Sequence, residues 1–106
     1  MIIINNLIWR IAFVPFNDLM LMRPDSSFAL GVCDNLTQTI FINENLYGLM
    51  LKKVLCHELT HAAMFSYGIS LSIEQEEVLA ELIATYGEEI INITNKIFTK
   101  LKERVA

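Results

Sequence analysis

The chain has 106 residues, of which 54% are hydrophobic and 19% charged, enough apolar material for one compact domain and too much for a disordered segment. Eight Lys and Arg against twelve Asp and Glu give a net charge of −4, which argues against a nucleic-acid binder, whose affinity rests on clustered positive charge. Four Gly and two Pro exclude collagen-like or linker-like material, and two cysteines, Cys33 and Cys56, make no disulfide framework and suit reduced, buried thiols.

At the N-terminus, Met1-Ile2-Ile3-Ile4 is apolar but lacks a basic leader, and Asn5, Asn6 and Arg10 interrupt it, so it is a poor signal peptide. No run reaches the roughly 18 apolar residues of a membrane span. The expectation is a soluble, cytoplasmic protein with no membrane or nucleic-acid partner. Residues 7–16 are β-branched and aromatic, and Pro15 closes the run, which predicts a strand. Pro24-Asp25-Ser26-Ser27 marks a loop. Two short β-prone runs follow, residues 28–33 and 39–43, with Asp34-Asn35-Leu36-Thr37 between them as a hairpin turn. Three strands in a small, mainly antiparallel sheet are predicted.

Helical spacing begins near Glu44 and continues to about Tyr67. Leu51, Leu55, Leu59 and Ala62 share one side, Cys56 and Ala63 flank it, and Val54 and Phe65 extend it. A helix apolar on nearly every side belongs in the interior. Gly68 suits the left-handed residue after its end. Ser72 followed by Gln75 forms a capping box, so the next helix starts at Ile73 and runs to about Arg104, with a kink or break expected near Gly87. Lys96, Lys100, Lys102 and Arg104 complement the negative end of that helix dipole. With no repeat and no linker, the fold class is α+β: a three-stranded sheet packed on a buried helix and a long C-terminal helix, as a single domain.

Chemistry concentrates in His57-Glu58-Leu59-Thr60-His61. Residues four apart on a helix share a face, so both imidazoles can reach one metal ion, and Glu58 lies near enough for its carboxylate to reach a metal-bound water. Zinc suits such a site, with Glu58 taking a proton from the water and passing it to a leaving amine. A catalytic zinc needs a third protein ligand, and with no further histidine that ligand must be a carboxylate or a cysteine. Met64 and Tyr67 stand where the HExxHxxGxxH pattern needs Gly and His, which excludes the metzincin type. The next helix opens with Glu74, Glu76, Glu77 and Glu81. Glu77 and Glu81 lie on one stripe with Glu74 and Glu88 beside it, and an antiparallel packing would aim that stripe at His57 and His61. Glu76 points elsewhere and complements the helix dipole, so Glu76→Ala is expected to leave metal affinity near wild type.

His57 to His61 followed by Glu77-Val78-Leu79-Ala80-Glu81 resembles the gluzincin zinc metallopeptidases, in which HExxH is followed by a glutamate ligand on a later helix. The stretch from His57 to Ala62 reads as in thermolysin-like enzymes. The small size is closer to the minimal gluzincins and to short HExxH proteins of phages and mobile elements related to repressor-cleaving metallopeptidases. The resemblance covers residues 39–86. It implies a zincin-like minimal core holding Zn2+, with Glu77 as third ligand and Glu81 orienting His57 through its other ring nitrogen. Glu81 is one methylene longer than the Asp more usual there. Thr39, Ile40, Phe41, Ile42 and Asn43 occupy the place of the family's edge strand, which pairs with an extended peptide substrate; the same residues also suit an interior strand. Full-size gluzincins draw oxyanion donors from a second subdomain, for which Tyr47, Tyr67 and Tyr86 are the candidates here. Minimal members tend to be latent, with part of their own chain over the cleft, and the residues past Asn92 are available for that.

Two functions follow. One is a zinc-dependent endopeptidase acting on a protein or peptide. The other is a non-catalytic interaction protein on a degenerate metallopeptidase scaffold that keeps its metal for stability.

Overall fold

The computed structural model describes the backbone of residues 1–105 and the side chains of residues 1–103, so the side chain of Arg104 in the basic C-terminal run lies outside the described residues. Its elements are β1 (Ile2–Ile4), β2 (Leu7–Val14), a 3-10 turn at Leu19–Leu21, β3 (Gly31–Asp34), β4 (Thr39–Asn43), α1 (Gly48–Ser66) and α2 (Ile73–Val105). The class is α+β, but the sheet has four strands in the order β1-β2-β4-β3 and is mixed, because β2 and β4 run parallel.

The additional strand is the N-terminal apolar run. Asn5 and Asn6 both take positive φ, 46° and 67°, the conformation of a two-residue type I′ turn, and this folds β1 back on β2 with Ile2 opposite Trp9. The parallel pair has a topological cause. After β2 the chain makes its loop excursion and enters β3 at the far edge, and the β3–β4 hairpin then returns β4 alongside β2. No local feature of residues 39–43 encodes that neighbour.

Trp9, Ile40, Ile42 and Ala62 form the fully buried centre, where the sheet meets α1. Trp9 stacks edge-to-face with Phe65, ring centroids 6.0 Å apart, and its indole N–H donates to Ser66 Oγ at 2.8 Å. The apolar ring is thereby buried with its one polar atom satisfied. Asn5 Nδ2 also donates to the Ser66 carbonyl at 2.9 Å, tying the β1–β2 turn to the end of α1.

Helix α1 starts at Gly48, later than the spacing suggests, since residues 44–47 form a turn in which Glu44 N–H donates to the Val14 carbonyl at 2.8 Å. Its first turn is exposed, and its second half lies on the sheet. Gly68, at φ 67°, closes α1 with two bonds, Gly68 N–H to Phe65 C=O at 3.1 Å and Ile69 N–H to Met64 C=O at 2.9 Å. That pair is a Schellman cap. Four residues later Ser72 and Gln75 exchange side-chain-to-backbone bonds at 3.1 and 3.2 Å and start α2. The two caps fix a tight connection that turns α2 back along α1. Helix α2 then runs unbroken for 33 residues through Gly87. One glycine costs a helix about 1 kcal/mol relative to Ala, too little to interrupt so long a run. No helix among the described residues is long and apolar enough to cross a membrane.

Ser66→Ala leaves the buried indole N–H of Trp9 without its acceptor. It is expected to lower the unfolding free energy by about 1–3 kcal/mol, measured by urea denaturation followed through the fluorescence of this single tryptophan.

Candidate metal centre

The geometry of the centre follows from two antiparallel helices. Lys52 bonds Glu88 at 2.8 Å, Lys53 bonds Glu81 at 2.9 Å, His57 meets Glu81 and Glu77, and His61 meets Glu77 and Glu76. Residue numbers fall along α1 as they rise along α2, so each turn of one helix addresses one turn of the other.

One turn of α1 separates His57 from His61 and sets their rings 5.0 Å apart. Both Nε2 atoms converge on the Glu77 carboxylate, His57 at 3.2 Å from Oε2 and His61 at 2.9 Å from Oε1. One donor atom from each of the three residues lies within 4.8 Å of the others, and the group can hold a metal ion. Ligands about 2.0–2.2 Å from a tetrahedral ion sit roughly 3.4 Å from one another, so this spacing fits a shared ion with little movement.

The outer ring nitrogens are occupied as well. Glu81 lies 3.4 Å from His57 Nδ1, the place the family resemblance implies. Glu76 lies 2.7 Å from His61 Nδ1. This corrects the expectation that Glu76 points away: it is in the first turn of α2, as the dipole argument has it, yet its side chain reaches across to the second histidine. The signal was in the antiparallel register. If Glu81 faces His57, the residue facing His61 falls at 76 or 77, and a flexible glutamate at each position lets both reach the ring. Glu74 is exposed and Glu88 is taken by Lys52, so neither joins the cluster.

Glu58 is 7% exposed. Its pKa is raised, chiefly by burial and also by the Glu77 carboxylate, while His57, His61 and the Cys33 backbone N–H pull the other way. It is buried because β3 crosses directly above it. A Cβ on Gly31 would stand 3.0 Å from Glu58 Cγ and 2.8 Å from Val54 Cγ1, so a side chain at position 31 would force strand and helix apart. Gly31 belongs to no motif that would mark it in the sequence.

Beside β3 opens a cleft of about 570 Å³, bordered by Arg23, Cys33, His57, Glu58, Glu76 and Glu77. Burial, with Glu58, Glu76 and Asp34 adding to it, pushes the Cys33 thiol up to about 12, and the donor atoms that converge are those of His57, His61 and Glu77. The edge strand of the sheet is β3. Thr39, Ile40, Phe41, Ile42 and Asn43 are paired with β2 on one side and β3 on the other, which removes them as a substrate-binding edge. Ile40 and Ile42 are wholly buried, the position their apolar side chains select. Tyr86 borders a second hollow shared with His57, Glu77 and Glu81, whereas Tyr47 and Tyr67 are exposed and line neither. Residues 93–105 continue α2, and none of the described side chains past Asn92 borders the cleft.

No protein-family model, curated protein or solved structure matches the chain.

Titration of the metal-free protein with Zn2+ against a chromophoric chelator checks these assignments. Glu77→Ala or His61→Ala is expected to abolish tight binding, and Glu76→Ala or Glu81→Ala to weaken it by about 10–100-fold each, the usual effect of removing a carboxylate behind a ligating histidine.

Proposed function

We propose that this chain is a zinc-dependent metallopeptidase of the gluzincin type that hydrolyses peptide bonds in a protein or peptide. The observation that carries the reading is the meeting of two imidazole Nε2 atoms and the Glu77 carboxylate beside a second, buried carboxylate, Glu58. Imidazole and carboxylate donors suit zinc, and three protein ligands leave one tetrahedral position for solvent, the composition of a catalytic rather than a structural site. When bound, zinc supplies a Lewis acid that acidifies water to a pKa of about 7 and polarises a carbonyl.

The chain's own groups have separable tasks. His57, His61 and Glu77 hold the ion. Glu76 accepts from His61 Nδ1–H, and Glu81 stands 3.4 Å from His57 Nδ1, so that both carboxylates favour rings whose Nε2 lone pairs face inward. Glu58 acts as general base and then acid, and burial raises its pKa toward the range in which a carboxylate both takes and returns a proton. The outer edge of β3 is the main-chain surface along which an extended peptide aligns.

Glu58→Gln separates enzyme from scaffold. With zinc bound, the wild-type protein is expected to cleave members of a peptide library, a chelator to stop it, and Glu58→Gln to bind zinc with unchanged affinity while cleaving about 10²–10⁴-fold more slowly. Stoichiometric zinc without cleavage by either protein would instead assign the chain to the non-catalytic interaction class.

A further inference from the structure

Helix α2 outruns the body it packs on. Its first half lies against α1, whereas from Thr85 onward its described side chains are exposed, apart from the half-buried Gly87. The molecule accordingly measures 57 Å along one axis and about half that along the others. A lone helical arm of some five turns is marginal in water, and this one is rich in β-branched residues, Ile90, Ile91, Ile93, Thr94, Ile97 and Thr99, which are poor helix formers. Something must cover it.

Its apolar residues are not scattered. Ile83, Gly87, Ile90, Thr94, Ile97 and Leu101 recur at alternating steps of four and three, the spacing of a coiled-coil seam, and Ile93 and Phe98 widen it. Ile90, Ile97 and Leu101 are each about half exposed, with no other element packed on them. Charge changes sign along one flank of this seam. Glu89 precedes Lys96 and Lys100, on the side away from Glu88 and its bond to Lys52.

We propose that this face of α2 is the interface of a homodimer, in which the arms of two copies pair antiparallel about a two-fold axis near residues 95 and 96. That register stacks Ile90 of one copy on Leu101 of the other and Thr94 on Ile97, twice over. It also brings Glu89 within a turn of Lys100 of the second copy on the same flank. A parallel pairing would face the flank carrying Glu89 and Lys100 with the opposite flank of the second copy, so only the antiparallel arrangement joins these charges, and its two Glu89–Lys100 pairs offset the approach of the two Lys96 side chains near the axis. The surface is complementary to itself, as a two-fold interface requires. This inference does not depend on the metal centre, which each copy completes from its own α1 and α2.

Sedimentation equilibrium of the whole chain tests it. A mass near twice the 12.1 kDa of one chain is expected at micromolar concentration, and Ile97→Asp should reduce it to one chain, with Trp9 fluorescence reporting that the distant core is intact. Glu89→Lys and Lys100→Glu, both at exposed polar positions, should each weaken the dimer about tenfold, and the two together should restore it, because the double reversal recreates the pairs with signs exchanged. A single-chain mass throughout would overturn the proposal, including the case in which the monomer binds anionic lipid vesicles. So would a dimer indifferent to Ile97→Asp or to the single reversals, or a double reversal that fails to restore association.

Discussion

Four carboxylates, Glu58, Glu76, Glu77 and Glu81, surround two imidazoles, the first three of them along a cleft that one strand partly covers. Like charges so close repel one another, most at the buried Glu58, and a cation held between them would offset that repulsion. The arrangement is layered. Glu77 lies against both Nε2 atoms, Glu81 and Glu76 lie against the two Nδ1 atoms, and Lys53 closes the outer side at Glu81. Hydrogen bonds from Lys53 and Thr85 hold the Glu81 carboxyl below its ordinary range, keeping it an acceptor, while burial pushes Glu58 the other way. Neighbouring carboxylates of one residue type therefore have different proton affinities. That divergence is what acid–base chemistry at a metal requires.

Two helix caps produce this arrangement. The Schellman cap at Gly68 and the capping box at Ser72 and Gln75 leave only a short turn between α1 and α2, which sets where Ile73 begins and hence which residues of α2 face each histidine. A one-residue change in that turn would rotate α2 by about 100° and carry Glu77 off the site. Precision at the centre thus rests on backbone hydrogen bonds several residues away from any ligand.

The sheet contributes from the other side. The hairpin of β3 and β4 places β4 in the interior and leaves β3 as the open edge, and Gly31 lets that edge pass close over Glu58. One strand therefore both buries Glu58 and borders the cleft. The fold achieves with one small sheet and two helices a cluster that faces solvent on one side only.

What the amino-acid order alone determined was local. The HExxH turn, the glycine after α1, the capping box, the start of α2 and the turn between β3 and β4 all depend on residues within about five positions of each other, and short-range backbone preferences suffice to read them. Helix spacing put Glu77 and Glu81 on the stripe that faces His57 and His61, whereas which glutamate meets which histidine came only from a family resemblance, and the helix register gives it a physical basis. Tertiary structure decided the rest. That β2 and β4 run parallel, that β3 and not β4 is the edge, that Glu76 turns to His61 and that Gly31 must lack a side chain are facts about partners 10 to 40 positions away. Such neighbours are chosen by the burial of Trp9, Ile40, Ile42 and Ala62 together, a condition on the whole chain that no single segment carries.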